Sequence, residues 1–377
     1  MLSASHPQAA SQNGVGGVDA DHTDTSAATP WAVSWRVVDR LLARFDLAET
    51  CAHGLGPLAA YRRHALGREV PDQLRREERA AAAAHLVAPG LLARARAAYD
   101  GPLVVLKGPE ITHRYPGRAR RFGDLDLLPE NAEEAQAALI AAGFKLQERD
   151  WPPEGWDDDR NPHYHLQPLE WPGLALKIEV HKQVKWPSHL RAPSNAEIFE
   201  AAIPSIAGID GLLAPHPHQH AVLISSHAWG EIPMRHLREL IDVLVFADDS
   251  ERAEIRRVAE AWGFRRGWDT TLAVTDWLLR DAPEPRAAKL WARYLRELRE
   301  PTVLEMHVQE WLAPFSMAPP GRALRRSAAA FGRDLKPFGQ QTWGDKLRQT
   351  GRAVLHPFSS KSEHEPRHSR GPARATN

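Results

Sequence analysis

A single cysteine, Cys51, stands in 377 residues. It cannot pair within the chain, so a disulfide-stapled scaffold and a cysteine-based zinc finger are both excluded. No apolar run approaches the roughly 18–20 residues a membrane-spanning helix needs. An excess of one charge is also missing. Lys and Arg total 48 and so do Asp and Glu, which argues against a chain that binds nucleic acid along its whole surface. The first 30 residues hold no Lys or Arg and no apolar core, unlike a secretory signal, and read as a disordered tail. The expectation is a cytoplasmic protein with no membrane partner.

What is present suffices for a core. Hydrophobic residues make up 43% of a length that suggests two or three domains. After the tail, 31–100 reads as a helical segment: Val37, Val38, Leu41, Leu42 and Phe45 fall at helical spacing, and 71–99 is rich in Ala, Leu, Arg and Glu. Pro89-Gly90 is expected to break that long helix. Residues 101–210 are mixed α and β. Leu103–Leu106 is a short apolar strand, Pro109 suits a first helical position, Asp124–Leu128 is a second strand, and a helix over 133–142 stops at Gly143. Trp151–Pro162 reads as a loop, and 163–169 with 174–180 as a hairpin. Residues 211–320 are helical again. From 321 a basic helix runs into a disordered tail, and 311–377 carries 12 Lys or Arg against 4 Asp or Glu. That stretch is expected to lie against an anionic partner or to be a solvated face.

The chemistry concentrates in Gly123-Asp124-Leu125-Asp126-Leu127-Leu128. A strand alternates its side chains, so Asp124 and Asp126 share one face while Leu125 and Leu127 enter a core. Two carboxylates that close repel unless a cation sits between them, and a divalent ion is the natural neutraliser. In Leu174–His181 the apolar residues again alternate strictly, which leaves Lys177, Glu179 and His181 on the opposite face. Placed beside the Asp-Leu-Asp strand, Glu179 completes a three-carboxylate set, with His181 as an accessory neighbour. Lys107 and Gly108 end a strand before a helix start, a position suited to phosphate. Arg121, and with less support Arg118, precede the acidic strand and are candidates to clamp a triphosphate. Arg118 and Arg120 read more readily as solvated loop charges. The 19 histidines invite a zinc reading, with His163 and His165 on one strand face and His216, His218 and His220 at a helix start. No His-Glu-x-x-His pattern supports it, and packing or capping is the simpler role.

The ordered set Val104-Val105-Leu106-Lys107-Gly108, Arg121-Phe122-Gly123-Asp124-Leu125-Asp126-Leu127-Leu128, Gly143-Phe144 and Ile178-Glu179-Val180-His181 resembles the polymerase-beta-like nucleotidyltransferases. Within them it is similar to a bacterial group of uncharacterised nucleotidyltransferases, which the later His220, His227, Arg238 and Asp242 also fit. The resemblance covers about 85–280. It implies an α+β fold with a short mixed sheet between helical segments. It implies Mg²⁺ (or Mn²⁺) on Asp124, Asp126 and Glu179, with Lys107, Gly108, Arg121 and Gly123 on the nucleotide side. The implied reaction moves a nucleoside monophosphate from an NTP such as ATP to a hydroxyl on a small molecule, a protein or an RNA end. At the turn this chain has Gly108-Pro109 where the superfamily often has Gly-Ser or Gly-Gly. That departure motivates the rival reading of a nucleotide-sensing or protein-interaction module.

Overall fold

The computed structural model describes residues 33–147, 164–187, 190–229, 234, 236–247, 249–291, 293–297, 302–337 and 342–355. The expectations for the N-terminal tail, the 151–162 loop, His163 and the far C-terminal tail lie outside these residues.

Four helices come first: α1 (Trp35–Leu42), α2 (Leu47–Ala52), α3 (Gly56–Ala65) and α4 (Asp72–Ala98). The mixed region follows as β1 (Leu103–Val105), α5 (Pro109–Thr112), β2 (Asp124–Pro129), α6 (Ala132–Ala141), β3 (Lys145–Leu146), β4 (Leu169–Glu170) and β5 (Lys177–Val180). It continues through α7 (Asn195–Glu200), β6 (Ile203–Pro204) and β7 (Leu212–Ala214). Helices follow among the described residues: α8 (Pro217–His227), α9 (Leu237–Leu244), α10 (Arg252–Ala261), α11 (Arg265–Arg280), α12 (Arg286–Trp291) and α13 (Arg293–Glu297). The last three are α14 (Val303–Met317), α15 (Pro320–Asp334) and α16 (Trp343–Leu355). None of the described helices is long and apolar enough to cross a membrane.

The seven strands form one mixed sheet in the order β3-β4-β5-β2-β1-β7-β6. β2 runs antiparallel to β1 and parallel to β5, and β7 runs parallel to β1. The expected hairpin is present as β4 and β5. The strands β6 and β7 are additions that the sequence reading did not contain. Period-two alternation sends Leu103, Val105, Leu125 and Leu127 to one face, where they pack on Leu91, Leu92 and Ala95 of α4 and Leu139 of α6. Val104 and Leu128 face the other way, into a core shared with α8, α9 and α11. Helix α1 adds Val37, Val38 and Leu41 to that second core, so the N-terminal helices close onto the C-terminal ones.

Helix α4 is unbroken across Pro89, contrary to the expectation from Pro89-Gly90. Pro89 withholds the N–H that the His85 carbonyl would take, yet both Pro89 and Gly90 lie on the exposed face of the helix. The flanking Ala88, Leu91 and Leu92 are buried against the sheet. That packing outweighs the local preference to stop. The proline is therefore a local cost to the helix, and its exposure leaves little packing to offset it. Pro89→Ala should raise the stability of the whole protein by about 1–3 kcal/mol in urea unfolding. An unchanged or lower midpoint would show that α4 is adapted to the proline.

Candidate active site

The parallel pairing of β2 with β5 sets Asp124 opposite Lys177 and Asp126 opposite Glu179. His181 continues the register, its backbone N–H donating to the Leu127 carbonyl at 2.7 Å. Ligand atoms of Asp126, Glu179 and His181 lie within 4.8 Å of one another, and all three residues are buried. Asp124 shares the Asp126 face but stands outside that tight group. Lys107 Nζ lies 3.1 Å and His181 Nε2 3.0 Å from the same oxygen, Asp126 Oδ1. Asp126 Oδ2 is buried with no partner among the described residues. Glu179 takes Lys177 on Oε1, and His165 Nε2 stands 3.5 Å from Oε2.

Charge accounts for the titration behaviour. Burial acts to raise the Asp126 pKa, but Lys107 and His181 overcome it and hold the carboxyl well below its usual range. Burial, then the Asp126 charge, pushes Asp124 up. Burial opposes the Lys107 charge, yet Asp126 and Asp124 hold its pKa above the ordinary value. Two lysines thus face three carboxylates, and a buried oxygen is left without a donor. A hard divalent cation, which takes carboxylate oxygens, fits that deficit.

Next to this cluster lies a cleft of about 160 Å³, lined by Lys107, Gly108, Arg121, Gly123 and Asp124 on the sheet side. Gly108 has φ 67° and ψ −115°, a conformation that needs glycine, and an added Cβ would meet Leu125 at 3.2 Å. A Cβ on Gly123 would meet open space, so sterics do not require glycine there. Arg121 pairs with Glu77 at 3.0 Å on the rim. The far wall is helical: His227, Arg238, Glu239 and Asp242. Arg238 Nε is buried without a partner among the described residues, while its Nη1 donates to the Arg121 carbonyl at 3.4 Å.

Arg120 corrects the reading of a solvated loop charge. It is buried and grips Asp242 with two hydrogen bonds of 2.7 Å, while Tyr115 donates to the same Asp242 Oδ1 at 2.7 Å. Burial opposes the Arg120 charge, but Asp242 more than compensates and keeps its pKa above the ordinary value. Adjacent arginines thus diverge, Arg120 inward and Arg121 to the rim. Arg118 is exposed and does not line the cleft. The histidines divide too. His220 meets the Leu106 carbonyl at 2.6 Å, burial pushes its pKa down to about 3, and it holds β1 to α8. His216 caps α8, its Nδ1 accepting from the His218 N–H at 3.4 Å. His165, set aside on sequence, stands with its ring 5.4 Å from that of His181. The signal available for Arg238 and Asp242 was their spacing of four on one helix face, which assigns no role by itself.

The model of a family described as uncharacterised nucleotidyltransferases matches residues 35–280. The chain belongs to that family. It is therefore a nucleotidyltransferase, an enzyme that transfers a phosphorus-containing group. The match spans α1 through α11 and contains the carboxylate cluster and both walls of the cleft. No curated protein and no solved structure matches the chain.

Two predictions concern how this nucleotidyltransferase holds its site. Asp242→Asn leaves the buried Arg120 guanidinium poorly compensated and should cost about 3–5 kcal/mol in denaturant unfolding. The double variant Arg120→Met with Asp242→Leu should recover most of that loss, and a double variant as unstable as the single one would refute the assignment. The second concerns Glu110 of α5, which is buried and accepts from Ser205 Oγ and from the Ile206 N–H at 3.1 Å. Burial raises its pKa from 4.5 to about 7. A carboxyl raised on folding weakens the fold as pH climbs from the lower value to the higher. Stability should fall between about pH 4.5 and 7 by up to about 3 kcal/mol from this group. Glu110→Gln should flatten that slope in pH-dependent unfolding. Glu239, which burial also raises to about 7, acts in the same direction. An unaltered slope would remove Glu110 from the account.

Proposed function

We propose that the chain moves a nucleoside monophosphate from an NTP to a hydroxyl acceptor and releases pyrophosphate, with Mg²⁺ or Mn²⁺ held by Asp124, Asp126 and Glu179. One observation supports this above the rest: Asp126 and Glu179 face each other across parallel strands, and a buried Asp126 oxygen has no donor. When bound, the ion would supply Lewis-acid polarisation of phosphoryl oxygens. The other tasks fall to the chain. Arg121 and Arg238 stand on opposite walls, where guanidinium groups can grip phosphate oxygens from both sides. Lys107 balances carboxylate charge before the substrate arrives and can share its ammonium with a phosphate afterwards. The Gly108 turn keeps the cleft floor free of a side chain.

In the reaction the acceptor oxygen bonds to the α-phosphorus, and the bond from that phosphorus to its bridging oxygen breaks. Pyrophosphate leaves with the electron pair. Glu179 Oε2, beside His165, takes the acceptor proton. His181 keeps Asp126 oriented through its hydrogen bond. The acceptor is a small molecule, a protein hydroxyl or an RNA end, and the helical wall of α8 and α9 is the surface that would select it.

A nucleotide-sensing module without turnover is the second reading. Pro109 at the Gly108 turn favours it, because proline removes a backbone N–H that a phosphate could otherwise take. Thermal unfolding with each NTP, with and without Mg²⁺ or Mn²⁺, separates the two. A ligand at about 100 times its dissociation constant stabilises by roughly 2.7 kcal/mol. We expect a metal-dependent shift that Asp126→Asn abolishes, with turnover falling about 10³-fold or more. A shift that needs no metal and survives Asp126→Asn would favour the sensor. No shift with any nucleotide would overturn both.

A further inference from the structure

A second cavity, of about 490 Å³, shares no lining residue with the active-site cleft. Three parts of the chain meet there: the segment ahead of α7, the corner between α10 and α11, and the corner between α14 and α15. Arg191 comes from the first. Arg322 and Arg326 come from α15, one helical turn apart and so on one face. Arg266 of α11 ties the corner down by donating to the Ala318 carbonyl at 2.7 Å. The last corner lies beyond the family match, which ends at residue 280. The cavity is thus a feature of this chain's own C-terminal helices against the shared core.

Its charge is not balanced. Arg326 Nη1 is buried and has no hydrogen-bond partner among the described residues. Burial, then the charges of Arg322 and Arg325, pushes the Arg326 pKa down. The one acid among the described lining residues is Glu197, and it is already engaged: its Oε2 accepts from the Ser194 N–H at 2.7 Å and from Ser194 Oγ at 2.8 Å, capping α7. Three guanidinium groups therefore face one occupied carboxylate. The remaining wall is apolar, with Trp262 and Met317 both buried and Leu190, Pro193 and Pro319 beside them.

We propose that this cavity is a binding site for a phosphomonoester with an apolar or aromatic body. The volume lies within the range of small-molecule sites, roughly 300–1,000 Å³. Guanidinium forks match phosphate oxygens in pairs. A dianion suits three arginines better than a single carboxylate, which would leave positive charge in excess. The apolar wall beside Trp262 accepts the rest of the ligand. Such a ligand would bridge the family core to α15, so its binding would stabilise the C-terminal helices. It also gives the basic excess of 311–377 one definite anionic partner.

The proposal goes beyond the transferase reading and is tested apart from it. Phenyl phosphate and inorganic phosphate are titrated calorimetrically at constant ionic strength into the full chain, Arg326→Gln, Arg322→Gln and Arg238→Gln. The wild type should bind phenyl phosphate more tightly than inorganic phosphate. Arg326→Gln should weaken phenyl phosphate about tenfold or more. Arg238→Gln, in the active-site cleft, should leave that affinity unchanged. Arg322 is exposed and has no side-chain partner among the described residues, so Arg322→Gln keeps the test open should Arg326→Gln unfold. Absence of binding to the wild type would overturn the proposal. So would binding that Arg238→Gln removes and the α15 variants leave intact, since the ligand would then belong to the cleft. Failure of nucleotide binding at the cleft would not touch this result.

Discussion

The site depends on one electrostatic constraint, the crowding of carboxylates across the β2–β5 pair. Parallel strands in this register put Asp126 and Glu179 side by side, in a place where water screens little. The surroundings answer that repulsion. Lys107 enters from the end of β1 and Lys177 from β5, each against one acid. His181 adds a third contact, to Asp126. The compensation stops one donor short, at Asp126 Oδ2. A purely structural sheet would gain nothing by gathering acids here, since leucines at those positions would pack without cost. The incomplete neutralisation is the feature on which the proposed metal site rests.

A second buried ion pair supports the first cluster from a distance. Asp242 on α9 holds Arg120 and Tyr115, and these flank the segment that leads into β2. Buried pairs of this kind contribute little net stability, but they permit few alternative geometries. The consequence is positional. The clamp fixes α9 against the entrance to β2, and α9 carries Arg238 and Glu239 on the opposite wall of the cleft. The carboxylates and the helical wall thereby keep a set separation, although about 115 residues part Asp124 from Arg238 in sequence.

Legibility in the sequence followed the range of the interaction. Alternation in Asp124–Leu128 and Leu174–His181 is local, so both strands and the faces of their acids could be read directly. That Asp126 sits opposite Glu179 could only be posed as a condition, because pairing across 53 residues leaves no local mark. Arg120 and Arg121 are identical neighbours in a loop, and only the distant Asp242 and Glu77 tell them apart. Pro89 misled for the converse reason. Its local preference is real, but the burial of Leu91 and Leu92 on the sheet overrides it. Strand β7 is three residues long and runs into Pro215, too short to show a period, yet it completes the sheet beside β1.

The two cavities divide the helical half of the molecule between them. One lies where α8 and α9 face the acidic strand, and its cations oppose carboxylates. The other lies where α15 meets the α10–α11 corner, and its arginines oppose almost nothing. Like charges brought together on folding raise the free energy of the fold unless something offsets them, and no acid among the described residues pairs with Arg322 or Arg326. Such an arrangement persists more readily when an anion supplies the missing charge. The cation proposed for Asp126 and Glu179 and the anion proposed for α15 rest on the same physics: in each place like charges are brought together and the described residues stop short of neutralising them.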